Sequence, residues 1–251
     1  MSRGRIGFAY RLAICIIKPL LLLFTRPRRL GQQHLPATGG VIVAVNHISY
    51  VDPFVFAHYI YESGRLARFL AKVEVFELPW PLGWIVTNAG QIPVHRTAPD
   101  AADALRDAVA ALEAGECLAI YPEGTVTKAP DYWPMQARTG VARLALTTGV
   151  PVIPVAQWGA QAVFGRDHRP HLVPARRTVV QAGPPVDLSA YQGREQTGEV
   201  LREVTDLIMA RITEQLAELR GQTPPAEVYV PKPSQRPGAS GGWTSAERRS
   251  A

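Results

Sequence analysis

Short apolar segments alternate with amphipathic helical patterns along this chain, and this alternation restricts its fold more than any other feature. The β-branched run Val41–Val45 follows two glycines and predicts a buried strand. Residues 195–219 carry apolar side chains at helical spacing and end before Gly221, which predicts a long helix. Further strands are predicted at 69–71, 92–94, 118–121, 152–155 and 178–180, and further helices after Asp52, over 99–114 and over 138–148. Strands alternating with helices predict an α/β fold, a largely parallel sheet flanked by helices.

The first 30 residues combine apolar and basic side chains. They contain seven basic residues and no acidic one, whereas the rest of the chain carries 20 basic and 21 acidic residues. Residues 6–24 are almost wholly apolar, and Arg11 and Lys18 lie seven residues apart, so they share one face of a helix. A basic stripe followed by the arginine cluster at 26–29 favours a helix in the headgroup plane of an anionic membrane over a spanning helix or a soluble core helix. We therefore expect an N-terminal membrane-associated helical segment over residues 1–30.

The remaining sequence defines the rest of the organisation. We expect an α/β domain over residues 31–221 and a disordered tail over 222–251, where proline, glycine, serine and charged residues accumulate. The domain is nearly neutral, which argues against a nucleic-acid partner because such proteins spread basic residues across a face. The two cysteines, Cys15 and Cys117, are too few for a disulfide framework or a cysteine zinc site, and we expect free thiols.

A histidine and an aspartate follow the first predicted strand, where α/β sheets place their ligands. His47 can accept a proton near neutral pH. If the loop turns back into the helix, Asp52 can contact one imidazole nitrogen and leave the other for a substrate hydroxyl. No serine or cysteine is evidently paired with this base, which favours activation of an external hydroxyl. The alternative is that Asp52 only caps a helix and His47 is a polar loop residue.

Four ordered motifs resemble the glycerolipid acyltransferase family, the group that contains 1-acylglycerol-3-phosphate acyltransferase. Residues 47–52 resemble its His-x-x-x-x-Asp motif, and residues 90–96 resemble its second block, which ends in arginine. Residues 121–125 resemble the third block, usually Phe-Pro-Glu-Gly-Thr, and residues 150–155 resemble the fourth. The resemblance covers roughly residues 35–185. Each motif is weak alone, and their order makes the set specific.

The resemblance implies a reaction on the cytoplasmic face of the cell membrane. The hydroxyl of a lysophosphatidate-type acceptor attacks the thioester of acyl-CoA or acyl-carrier protein. On this interpretation His47 is the general base and Asp52 orients it. Arg96 holds the acceptor phosphate, because a guanidinium binds phosphate oxygens as a fork. Glu123 positions Arg96 or an acceptor hydroxyl. The reaction needs no metal or other cofactor, and the partners are the anionic membrane lipid and the acyl donor.

Five further residues are candidates for substrate binding. Backbone N–H groups at Gly124 and Thr125 can bind an anion, with a tight turn as the alternative. The family often continues this block with Arg-Ser, where this chain has Val-Thr-Lys at 126–128, and Arg138 or the lysine can compensate. Lys72 lies between the first two blocks, where the family often has a lysine. It can polarise the thioester carbonyl or contact a phosphate, or it is simply solvated.

Several functions stay open at this point. The acceptor can be another lysolipid or a glycolipid, because the third block lacks the usual arginine. The chain can also be a non-catalytic membrane-binding protein on the same scaffold, or a thioester hydrolase that uses water as acceptor. Trp80 and Trp84 suit either packing or a membrane interface.

Overall fold

One seven-stranded sheet organises the chain in the computed structural model, which describes residues 7–80, 82–94 and 98–232. Its strands are β1 (Thr25–Leu30), β2 (Val41–Val45), β3 (Ala67–Lys72), β4 (Ile92–Val94), β5 (Cys117–Ile120), β6 (Val152–Trp158) and β7 (Arg176–Ala182). Their order is β1-β7-β6-β2-β5-β3-β4. Every neighbouring pair is parallel except β6 and β7. The predicted α/β fold with a largely parallel sheet is confirmed.

Helices cover both faces of the sheet. They are α1 (Phe8–Phe24), α2 (Asp52–Glu62), α3 (Leu82–Asn88), α4 (Ala98–Glu113), α5 (Gly140–Thr148) and α6 (Gly198–Arg220). Helices α4, α5 and α6 pack on one face with Ile42 and Ala44 of β2, whereas α2 and part of α1 pack on the other face with Val41, Val43 and Val45. Because β2 is covered on both faces, its sequence is a continuous apolar run rather than an alternating one.

The parallel strands bring the first and third sequence motifs to one edge of the sheet. Strands β2, β3, β4, β5 and β6 run in the same direction, so their carboxyl ends lie together. His47 follows β2, residues 121–125 follow β5, and Lys72 ends β3. Strand β5 is the direct neighbour of β2, which brings the third motif beside the first. This carboxyl edge is where ligands bind in α/β sheets.

The N-terminal segment differs from the prediction in two details. Its last part, Thr25–Leu30, is the edge strand β1 and pairs with β7, so the sheet begins before residue 31. Lys18 donates to Glu62 at 2.8 Å, so it does not form a free basic stripe with Arg11. In the described ranges, which start at residue 7, we find no helix with the length and apolar character needed to cross a bilayer.

The beginning of the predicted tail lies against the domain. Gly221, at φ 60°, ends α6 as the sequence predicts. Residues 222–232 then run without a helix, and Tyr229 forms an isolated parallel bridge with Met135. The prediction of disorder therefore does not hold for this ordered contact. Residues 233–251 lie outside the described residues, so the prediction for them is not tested.

Candidate active site

The imidazole of His47 and the carboxylate of Asp52 form a hydrogen-bonded pair at the carboxyl edge of the sheet. His47 Nδ1 lies 2.9 Å from Asp52 Oδ2. The Asp52 side chain is completely buried, whereas 15% of the His47 side chain is exposed. Because Nδ1 is engaged by the carboxylate, Nε2 is the nitrogen left to exchange a proton with a substrate. The geometry has the arrangement that the five-residue spacing predicts.

The Asp52 carboxylate is bound to the loop that precedes its helix. Oδ2 accepts from the backbone N–H of Ile48 at 2.6 Å and of Ser49 at 2.7 Å. Asp52 is the first residue of α2 and Pro53 follows it, and no side chain caps the helix. The carboxylate therefore turns back toward His47 instead of capping the helix. Burial raises the pKa of Asp52, and the hydrogen bonds from His47 and the two backbone groups oppose this shift.

Glu123 holds the backbone of the histidine loop from the neighbouring strand end. Its Oε1 accepts from the backbone N–H of His47 at 2.9 Å, and its Oε2 accepts from that of Met135 at 3.0 Å. Only 2% of Glu123 is exposed. Both oxygens thus accept hydrogen bonds from the backbone of the protein. That Glu123 positions Arg96 or an acceptor hydroxyl stays a prediction, because Arg96 lies outside the described residues. Burial raises the pKa of Glu123 to about 8, and the nearby Asp52 charge adds to this.

Three residues that the sequence did not single out complete the frame around His47. The ring of Tyr121 stacks on the imidazole with centroids 4.1 Å apart. Asn46 and Gln157 join the ends of β2 and β6 through three hydrogen bonds of 2.7–3.1 Å. Asn46 adjoins the first motif and Tyr121 is the first residue of the third, which is the only sequence signal for them. Gln157 has no local signal, since only the sheet pairing brings it close.

Of the other predicted binding residues, three lie at the third motif, one lies farther along the same edge, and one is outside the described residues. Arg138 is exposed, and a Cβ added to Gly124 would lie 3.3 Å from its Nε, so the side chain passes over the third motif. Gly124 has φ 72°, and Thr125 follows it in the same turn. Lys72 is exposed at the end of β3, two strands and about 10 Å from β2. Arg96 lies outside the described residues.

The two residues that stand where the third block usually has arginine and serine are part of the protein interior. Val126 and Thr127 are both buried. The Thr127 hydroxyl donates to the Trp133 carbonyl at 2.7 Å, and its backbone N–H donates to the His47 carbonyl at 2.7 Å. Position 126 therefore packs inward and offers no charge to a phosphate. Of this segment only Lys128 is exposed.

The arrangement can perform one kind of chemistry well. A histidine held by a buried carboxylate, with one free nitrogen at a strand end, can remove a proton from a bound hydroxyl. In the ranges that the structure describes, no three histidine, cysteine, aspartate or glutamate side chains are grouped to hold a metal ion.

Comparisons with known proteins show the family of the chain. A family model described as acyltransferase matches residues 26–158. A 1-acyl-sn-glycerol-3-phosphate acyltransferase from Brassica napus is 29% identical over 136 residues, which make up 53% of this chain and 38% of that protein. The enzyme of that name from Borreliella burgdorferi is 29% identical over 135 residues, covering 53% of this chain and 52% of that protein. The matched region thus spans about half or less of these relatives.

Two further relatives extend the comparison. A lyso-ornithine lipid O-acyltransferase from Pseudomonas aeruginosa is 35% identical over 114 residues, covering 44% of this chain and 40% of that protein. The crystal structure of the 1-acyl-sn-glycerophosphate acyltransferase PlsC from Thermotoga maritima superposes with a TM-score of 0.59 at 21% identity. It covers 84% of this chain and 82% of that one, which shows that the fold is shared. Because the family model matches more than half of the residues, this chain belongs to the acyltransferase family, and the resemblance of its motifs is confirmed.

Proposed function

We propose that this protein transfers a fatty acyl group from an acyl thioester to the hydroxyl of a lysophosphatidate-type glycerolipid. The observation that carries the proposal is the 2.9 Å contact between His47 and a buried aspartate at the carboxyl edge of the sheet. We take the acceptor from the names of two relatives, which are both 1-acyl-sn-glycerol-3-phosphate acyltransferases. The donor is acyl-CoA or acyl-carrier protein, and the proposed reaction uses no metal.

In the proposed reaction His47 Nε2 takes the proton of the acceptor hydroxyl as its oxygen attacks the thioester carbonyl. The carbonyl becomes a tetrahedral oxyanion, which collapses to the ester and expels the thiolate. The imidazolium then gives its proton to the thiolate, so the products are an ester and a free thiol. Asp52 stabilises the imidazolium between these steps, because its charge lies on the opposite nitrogen. Such a base contributes a factor of roughly 10²–10⁴ in rate.

The test is an assay with one labelled acyl thioester, with and without lysophosphatidate, followed by mass spectrometry of the products. We expect acyl transfer only when the acceptor is present. His47→Ala should lower turnover by roughly 10²–10⁴-fold. His34→Ala, in a short turn after β1, is the matched control and should keep full turnover. Thioester loss without acceptor would identify a hydrolase, and no turnover with either donor would indicate a non-catalytic binding protein.

A second acceptor class has its own support. Val126 is buried where the family often has arginine, so this position cannot bind a phosphate. A relative with 35% identity is named a lyso-ornithine lipid O-acyltransferase, and the acceptor in that name is not a lysophosphatidate. The same assay should therefore include a lyso-ornithine lipid and a glycolipid. A higher kcat/KM for either would replace lysophosphatidate as the proposed acceptor.

We also propose that α1 and the segment around α3 bind the cytoplasmic surface of the cell membrane. Exposed apolar side chains are frequent on both segments: Phe8, Ile16, Leu20, Leu22, Leu23, Leu78, Trp80 and Trp84. The rings of Phe8 and Trp84 contact each other, so the two segments form one surface. Tryptophan favours the membrane interface, and the arginines of β1 can contact anionic headgroups.

Vesicle sedimentation tests the membrane proposal. Leu23 and Val228 are both 65% exposed, but Val228 lies in the C-terminal segment, away from α1. Leu23→Lys should weaken binding to anionic vesicles by roughly tenfold, because the loss of about 1.5–3 kcal/mol of leucine burial exceeds the roughly 1 kcal/mol that an added lysine gains from anionic headgroups. Val228→Lys is the matched control and should leave binding unchanged. Equal binding by the two variants would place the membrane surface elsewhere.

A further inference from the structure

The C-terminal segment after α6 contacts the loop that supports the proposed catalytic histidine. The backbone N–H of Gln136 donates to the Tyr229 carbonyl at 2.9 Å. The Tyr229 side chain is half-buried against a small cluster that includes Trp133 and Leu216. Its neighbours Val228 and Val230 are both exposed. Tyr229 therefore holds this segment on the body of the domain through its ring and its carbonyl, and Pro231, two residues later, is buried as well.

The contact continues from Tyr229 to His47 through two hydrogen bonds. Met135, the residue before Gln136, donates its backbone N–H to Glu123 Oε2 at 3.0 Å. Glu123 Oε1 accepts the backbone N–H of His47 at 2.9 Å. Tyr229 thus binds Gln136, and the preceding residue, Met135, binds Glu123. A displacement of this stretch has to be taken up by Glu123, and through it by the histidine backbone.

Other contacts hold the same loop on either side of Met135 and Gln136. Arg220 of α6 lies over the ring of Trp133 at 4.0 Å and donates to the Asp131 carbonyl at 2.9 Å. Arg166 donates to the Pro130 carbonyl at 2.7 Å. These bonds hold the outer part of the loop, residues 130–133, before the chain reaches Met135. After Gln136, Arg202 of α6 donates to the Ala137 carbonyl at 2.8 Å, and the Arg138 N–H donates to the Pro122 carbonyl at 2.9 Å. The bond to Tyr229 is made by Gln136, the residue next to Met135, whose N–H donates to Glu123.

We propose that Tyr229 is a positioning residue of the active site. It holds residues 135 and 136 in extended conformation, so that the Met135 N–H fixes the Glu123 carboxyl and the carboxyl fixes the backbone of His47. Its effect on turnover rests on the function proposed above, whereas its effect on the loop does not. Tyr229 lies 182 residues after His47, and none of the four sequence motifs includes it.

The experiment compares three full-length variants. Tyr229→Ala removes the ring that seats the segment, Tyr229→Phe keeps the ring, and Val228→Ala changes an exposed neighbour. Amide hydrogen exchange is measured at Met135 and His47, together with steady-state kinetics and thermal unfolding. In Tyr229→Ala we expect roughly tenfold faster exchange at both amides, because the local opening becomes easier. Turnover should fall by roughly 10- to 100-fold with KM nearly unchanged, because small displacements near the base slow the reaction.

The controls make each outcome decisive. Tyr229→Phe and Val228→Ala should exchange at the wild-type rate and keep turnover within about threefold of wild type, a small change beside the loss that displacement causes. Unchanged exchange at both amides in Tyr229→Ala, or faster exchange with unchanged turnover, would overturn the proposal. A loss of turnover that only follows the fraction of unfolded protein would overturn it as well. If the wild-type protein acylates no acceptor, the proposed function fails, and the exchange rates still decide whether Tyr229 holds the loop.

Discussion

Replacing Asp52 by asparagine removes one negative charge and almost no volume from the proposed catalytic pair. The asparagine carbonyl can take the place of Oδ2 and accept from Ile48 and Ser49, as the carboxylate does at 2.6 and 2.7 Å. The other carboxylate oxygen, Oδ1, is buried without a hydrogen-bond partner among the described residues. An amide nitrogen placed there replaces an oxygen that itself has no partner, so the substitution breaks none of the hydrogen bonds of the folded state. The substitution therefore isolates the effect of the charge on the His47 imidazole.

The expected magnitude follows from the distance and the burial of the pair. The charge of Asp52 lies 2.9 Å from Nδ1 and is shielded from solvent, and the imidazole is mostly buried. A unit charge about 4 Å from the centre of the imidazolium contributes about 4 kcal/mol at an effective dielectric constant of about 20. Since about 1.36 kcal/mol corresponds to a factor of ten, kcat should fall by roughly 10²–10³-fold. The imidazolium forms only during the reaction, so KM should stay within a small factor.

The assay is steady-state acyl transfer at saturating donor, with a urea unfolding curve for each variant. Asp52→Asn should lower kcat in the predicted range and unfold within about 1 kcal/mol of wild type, the net worth of a typical hydrogen bond. Asp52→Glu keeps the charge and moves it by one methylene, and it should retain more activity than the asparagine variant. A loss of less than tenfold in kcat with intact folding, or a loss carried by KM, would refute the assignment of Asp52 as the group that stabilises the imidazolium.

The remaining predictions concern the third motif. Glu123 has a pKa of about 8 in the folded protein, against an ordinary value of 4.5. As pH rises, the unfolded chain therefore loses this proton before the folded protein does. The free energy of unfolding should fall as pH rises from about 4.5 to about 8. Urea unfolding at several pH values should show this slope in wild type and a flatter slope in Glu123→Gln. At pH 5 the variant should also be less stable by about 1–3 kcal/mol, because an amide donor then faces a backbone N–H. Equal slopes in the two proteins would contradict the prediction. Gly124→Ala should lower stability by about 1–2 kcal/mol in the same assay, because φ is 72° there, and should displace Arg138, which lies 3.3 Å from the added carbon.

Much of the fold follows from the hydrophobic pattern. The runs that form β2, β5 and β6 are apolar on both faces, and α6 has a clear helical period, so local physics agrees with the final structure. The His47–Asp52 pair is also predictable, because both residues lie in one short loop after a strand. The sequence distance between them is small enough that a single turn brings them together.

The contacts that sequence analysis missed depend on distant parts of the chain. Strand β1 carries three arginines at an edge of the sheet, so it has neither the apolar run nor the alternation that indicates a strand. Gln157 reaches the histidine loop only because β6 pairs with β2. The contact of Tyr229 requires α6 to return the chain across the sheet. Periodicity within a segment carries no information on any of these pairings.

The two buried carboxyl groups of the site, Asp52 and Glu123, have different hydrogen-bond partners, which favour the ionised form of one and the protonated form of the other. Asp52 Oδ2 receives the imidazole in addition to two backbone donors, whereas Glu123 receives two backbone donors and forms no ion pair with any lysine or arginine in the described ranges. Two ionised carboxyl groups at close range in a dry interior repel each other, so the group that receives the imidazole as an additional hydrogen-bond partner keeps its charge. Glu123 is therefore the one that stays protonated near neutral pH, as its pKa of about 8 indicates. In the proposed reaction the negative charge then lies on the side of the imidazole away from the acceptor hydroxyl, where it stabilises the protonated base without repelling an anionic acceptor.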